Sequence, residues 1–251
     1  MLLTELVFGT VATFLFIVFV VYYTRQSRKG KVPEVRRISA LDDIDSSVDK
    51  CVELGKPAFC SIGGMGQRGN VGMQMAAALN ILPYIVRRCA NRGARLIVLN
   101  YCGDVVPLIR NIVAEGAKDE GKDENSYLKD VRFGTSDGNT STQIGQQIIQ
   151  AEDVRLVIAI GGLFSETIPY ASANKERGAI SIQGTAQTTA LYQVAILSDY
   201  WFIGDQLYTA SALLSRDPEQ ISTLRVADLG KIAAIAFYII AIIAIRFGVK
   251  F

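Results

Sequence analysis

Short apolar runs alternate with longer segments of mixed polarity along the middle of the chain. The runs are AFCSI (58–62), RLIVLN (95–100), VRF (131–133), RLVIAI (155–160), AISIQ (179–183) and YWFI (200–203). Each is followed within a few residues by glycine: Gly63 and Gly64, Gly103, Gly134, Gly161 and Gly162, Gly184, and Gly204. The segments between them predict helices beginning near Val71, Asp104, Thr140, Phe164, Ala186 and Asp205. Strands buried on both faces read as continuous apolar runs, and their alternation with helices specifies a doubly wound, mainly parallel sheet. Right-handed crossovers then gather the glycine turns along one edge, at the carboxyl ends of the strands.

The two ends of the chain carry a different pattern. Leu6 to Thr24 is free of charge, and a bilayer-spanning helix needs about 20 apolar residues. Glu5 and Arg25 bound this run, with Tyr22 and Tyr23 at the position of an interfacial aromatic belt. A cleaved signal peptide fits poorly, because no basic residue precedes the run and no A-x-A site succeeds it. Arg25, Arg28, Lys29, Lys31, Arg36 and Arg37 face a single acid, Glu34. The positive-inside rule then places the N-terminus outside and everything after Thr24 in the cytoplasm. Near the other end only Ile232 to Ile245 is uncharged, and spanning there relies on Lys231 and Arg246 reaching the headgroups. A hydrophobic helix buried against the domain or between subunits is the alternative.

The expected fold class is therefore α/β, a Rossmann-like doubly wound sheet flanked by one N-terminal and one C-terminal transmembrane helix. The expected divisions are a transmembrane helix (1–24), a basic juxtamembrane segment and helix (25–56), a cytoplasmic Rossmann-like domain (57–228) and a second transmembrane helix (229–251). The location implied is a cell membrane crossed twice, with both termini outside. In the second division Ser39, with Asp42 and Asp43, is expected to cap a helix whose apolar face holds Ile44, Val48, Cys51 and Val52. The charged, glycine-bearing stretch AEGAKDEGKDENSYLKD is expected to be a solvated excursion.

Composition narrows the chemistry. Half of the 251 residues are hydrophobic and the net charge is +2, too nearly neutral for a nucleic-acid-binding protein. The chain has no histidine, which removes Ser-His-Asp and Cys-His catalysis and histidine metal sites. Cys51, Cys60, Cys89 and Cys102 lack CxxC spacing and lie in or beside apolar runs, which predicts buried reduced thiols.

Three polar constellations remain along the glycine edge. Gly64, Gly66 and Gly69 form a G-x-G-x-x-G pattern with Arg68 inside it. Placed between a strand and a helix, such a loop can cradle a nucleotide or phosphate. The acid expected about 20 residues later to hold a ribose is missing, and a tight turn without a ligand is the competing reading. Gly162 leads into Ser165 and Glu166, where helix capping by Ser165 competes with a catalytic role that has no histidine base. Thr185 and Asp205 fit as N-caps of the helices they begin. A cleft collecting Gly64, Gly66, Arg68, Gly69, Gly162, Ser165, Thr185 and Asp205 is the expected binding site. Neither its ligand nor any catalytic residue is identifiable.

Ile182-Gln-Gly-Thr185 and the stretch IGDQLYTASALLS (203–215) resemble an uncharacterised family of prokaryotic membrane proteins, found in archaea and Chloroflexota among others. The resemblance runs from about Ser39 to the second hydrophobic segment. It implies a membrane-anchored α/β module and carries over no known activity. The expected function is a non-enzymatic module, either a self-assembling scaffold or a subunit of a larger membrane complex. A ligand-binding sensory domain or an enzyme on the same edge is the alternative. The expected partners are the lipid bilayer and further copies or other membrane-complex subunits, with no nucleic acid.

Overall fold

All six apolar runs form strands, and each strand pairs in parallel with its neighbours. In the computed structural model the backbone is described over residues 2–28, 38–64 and 69–246. The elements in chain order are α1 (Leu2–Arg28), α2 (Ser39–Glu53), β1 (Ala58–Gly63), α3 (Gly69–Arg92), β2 (Leu96–Asn100) and α4 (Val106–Asp119). Next come α5 (Glu124–Leu128), β3 (Val131–Phe133), α6 (Gly138–Ala151), β4 (Leu156–Gly161), α7 (Thr167–Arg177) and β5 (Ile180–Thr185). The last are α8 (Leu191–Leu197), β6 (Tyr200–Ile203), α9 (Asp205–Ser215) and α10 (Pro218–Arg246).

Strand order is β3-β2-β1-β4-β5-β6, the Rossmann order in which direction reverses between β1 and β4. Alternation within the strands divides the core in two. Cys60, Ile62, Val98, Ile158 and Ile182 pack under α2, α3, α4 and α9. Phe59, Ile97, Leu99, Val157 and Ala159 pack under α6, α7 and α8. Helices on both faces explain why β1, β2 and β4 are buried throughout.

The chain divides into two compact units, one of residues 1–36 with 216–251 and one of residues 37–215. The second holds the sheet and both core layers. In the first, α1 and α10 pack on each other.

The expectation of a membrane-spanning helix at each end is corrected, and with it the two-pass topology and the cell-membrane location. Among the described residues no helix is long and apolar enough to cross a membrane. In α10 the physical reason is charge. Glu219, Arg225, Asp228 and Lys231 occupy its first half, leaving only 232–245 uncharged. That stretch is roughly 21 Å of helix against a hydrocarbon core of about 30 Å. Lys231, expected to reach headgroups, instead lies 3.4 Å from Asp228.

Smaller corrections concern helix ends. Ser39 is the first residue of α2, whose N-cap is Ile38 with no side-chain cap bond. The excursion after α4 is ordered around α5, capped by Asp123 accepting from the Asn125 N–H. Tyr127 is buried there and donates to the Ala94 carbonyl at 3.1 Å. Tyr127 ties this charged stretch to the segment that enters β2.

Candidate functional site

The carboxyl ends of β1 and β4 meet at the point where strand order reverses, the usual ligand crevice of this fold. Among the described residues, the strand ends here pack directly on one another. The Gly162 N–H donates to the Gly63 carbonyl at 3.1 Å. Gly161 has φ +120°, and any Cβ on it would strike that carbonyl. A Cβ on Gly162 would lie 2.7 Å from Val71 Cγ1, and one on Gly63 would lie 2.6 Å from Leu163 Cδ2. The glycines thus serve close packing of strand end on strand end and of helix on turn, one of the established uses of glycine in such turns.

Tyr101, just past β2, lies across the same edge. The Gly64 N–H donates to its hydroxyl at 2.6 Å, and the hydroxyl donates to Glu166 Oε1 at 2.9 Å. Glu166 Oε2 accepts from the Phe164 N–H at 2.8 Å. Tyr101 and Glu166 are both buried, so this chain of bonds ties the ends of β1, β2 and β4 together away from water. Burial, with the Glu166 carboxylate beside it, pushes the Tyr101 hydroxyl well above the ordinary phenol range. Tyr101 is a fixed donor rather than a base.

Thr185 closes the other side. Its Oγ1 accepts from the Leu163 N–H at 3.3 Å and the Gln187 N–H at 3.1 Å, and lies 3.1 Å from Gln74 Oε1 as donor. Gln74, fully buried in α3, also accepts from the Ala186 N–H at 2.9 Å. Among the described residues its buried Nε2 has no hydrogen-bond partner.

The expected site residues are therefore only partly gathered. Gly64, Gly162 and Thr185 lie on this rim, and Gly69 is the first residue of α3. Gly66 and Arg68 lie outside the described residues. Ser165 does not cap α7, whose N-cap is Glu166; its Oγ instead donates to Asn139 Oδ1 at 3.0 Å. Thr185 ends β5, and α8 starts later, at Leu191, so Thr185 holds a turn rather than capping a helix. Asp205 is the first residue of α9. Sequence reasoning missed Tyr101 and Gln74. Gln74 alone has a visible signal, a long amide beside the apolar face of α3.

The chemistry available is limited. Neither Ser165 nor Asn139 is a base, and the carboxylate nearest the crevice is already held by two donors. Among the described residues no group of three or more potential metal-ligating side chains converges. Cys51 and Cys60 are free and buried, each thiol pushed up by burial to about 12. Cys89 is likewise free, buried and raised, whereas Cys102 is only half-buried.

No curated protein and no solved structure matches the chain. The family model of DUF6754, a domain of unknown function, matches residues 3–251, and the chain belongs to that family.

Proposed function

We propose that the chain is a non-enzymatic α/β module that works by association, as a self-assembling scaffold or as a subunit of a larger complex. The observation that carries this reading is where apolar surface remains. Tyr192 and Ile196 are 77% and 79% exposed, and Phe14 and Ile232 in the other unit are 65% and 63% exposed. Clusters of large exposed apolar side chains mark interaction surfaces. Among the described residues the strand ends, by contrast, pack directly on one another. Native mass spectrometry of the purified full-length chain tests the reading. Species at multiples of 27.3 kDa are expected, or stable co-purification with a defined companion chain. A monomer with no companion at micromolar concentration overturns it.

One observation favours a second reading, binding of a nucleotide or phosphate at the rim. Among the described residues Gln74 Nε2 is a buried donor without an acceptor, and an orphaned donor costs about 1–3 kcal/mol. A ligand oxygen would satisfy it. The melting temperature should then rise with ATP, NAD or inorganic phosphate, and Gln74→Leu should abolish the rise. No rise with any of the three rejects this reading.

A further inference from the structure

The two edges of the sheet are built differently. At one edge, β3 carries Arg132, which pairs with Glu152 at 3.0 Å and with Asp130 at 3.2 Å. Charge on an edge strand is a standard protection against pairing with another chain. At the other edge, β6 pairs only with β5. From 178 to 204 the sole charged side chain is Asp199, and its Oδ2 is engaged by the Ser181 N–H at 2.8 Å.

The helix preceding this edge is apolar on both sides. Val194 of α8 is buried against the sheet, while Tyr192, Ala195 and Ile196 are exposed. Those three stand at i, i+3 and i+4, a single outward stripe. A surface helix of an isolated domain would carry polar residues there. Leu197 and Trp201 are 40% and 42% exposed and extend the apolar surface to β6.

From these observations we infer that the α8–β6 edge is the self-association surface of the chain, and that a second copy covers it about a two-fold axis. This rests on the association reading above and specifies its partner and place. The surface carries one charge, the exposed Asp199 carboxylate, on an otherwise neutral apolar face, so its complement is another largely apolar surface. A head-to-tail contact would set this edge against β3, where Arg132 and its carboxylate partners would lose water for no counter-charge. The isologous contact sets Ile196, Tyr192 and Trp201 against their own counterparts. A two-fold axis normal to the strands also brings β6 to β6 in antiparallel orientation, so their unpaired backbone edges face each other. Gln206 Oε1 accepts from the Ile203 N–H at 3.2 Å, which ends the free edge there.

Ile196→Glu and Trp201→Glu in the full-length chain test this, with Leu108→Glu on exposed α4 as the control. Each change acts twice across a two-fold contact. Losing burial of one large apolar side chain per copy should weaken self-association roughly 100-fold or more. Analytical ultracentrifugation should then show dissociation for the two edge variants and none for the control. Circular dichroism melts matching the parent keep a folding defect from passing as dissociation; for Trp201→Glu the milder Trp201→Gln serves if the melt shifts. If the parent is oligomeric and both edge variants remain so, the surface is wrongly assigned while the association reading stands. If the parent is a monomer, both fail together.

Discussion

Arg95, Asp130, Arg132 and Glu152 close an ion-pair ring at the amino-terminal edge of the sheet, opposite the glycine rim. Arg95 grips Asp130 with two bonds, Nε to Oδ2 at 2.7 Å and Nη2 to Oδ1 at 2.8 Å, and reaches Glu152 with its third nitrogen at 2.8 Å. Asp130 is 3% exposed. Burial alone would raise its pKa, but hydrogen bonds and charge from Arg95 and Arg132 outweigh it and hold the carboxyl below the usual range. The unfolded chain has the higher pKa, near 3.9. The pair's stabilisation is therefore fully present above that value and is lost as pH falls through the lower folded value. Asp130→Asn should cost about 2 kcal/mol at pH 7. By urea unfolding the gap to the parent should hold down to pH 5 and shrink below pH 4. A gap that does not change with acid would show that shape, not charge, is what Asp130 supplies. None of this is legible from the sequence, because Arg95 and Asp130 are distant in the chain and nothing local marks them as partners. The same holds for Tyr101 and Glu166. Gly63, Gly64, Gly161 and Gly162 are legible as an edge because each pair ends an apolar run, though their packing on one another is not.

Among the elements, the strands are the most readable. β1, β2 and β4 are buried along their whole length, so their sequences are continuous apolar runs with sharp ends. Helix starts read less well, since turns bonded through Thr185 or Glu166 look in sequence like caps. The two terminal segments mislead because apolar content alone weighs the same whether it spans a bilayer or packs on another helix. Charges spaced through the first half of α10 decide against spanning there. α7 shows a different feature. Its inward residues Thr167, Tyr170 and Asn174 follow helical spacing but are polar, and they face Ser61, Ser181 and Gln183 of the sheet. Among the described residues several of these groups lack partners, including Thr167 Oγ1, Gln183 Oε1 and both polar atoms of the Asn174 amide. Thr167→Val keeps the shape and removes one unpaired hydroxyl. It should stabilise the protein by about 1 kcal/mol, read as a higher melting temperature. A lower one would mean that an ordered water serves that hydroxyl and that α7 rests on a hydrated seam.

At the scale of the molecule, the question is what the sheet needs in order to fold. Residues 37–215 form one compact unit, and every residue in both core layers belongs to it. The unit contains all six strands, the ion-pair ring and the Gly64–Tyr101–Glu166 tie. Its length lies in the range where a single hydrophobic core sustains a domain. A chain of residues 38–215 should therefore fold without α1 and α10. The expected result is a cooperative melt by circular dichroism and by near-ultraviolet signal together, within about 10 °C of the full-length protein, a span set by the few kcal/mol that two terminal helices can supply. The result that would overturn this is retained helical signal with lost near-ultraviolet signal and dye binding, the signs of a loosely packed state. In that case α1 and α10 would be part of the fold of the sheet rather than an addition to it. If the fragment folds, its oligomeric state separates the roles of the two units. A fragment that still self-associates carries the interface in the α8–β6 edge, and one that becomes monomeric places it in the terminal helices, where Phe14, Ile17, Ile232 and Ile235 are also exposed.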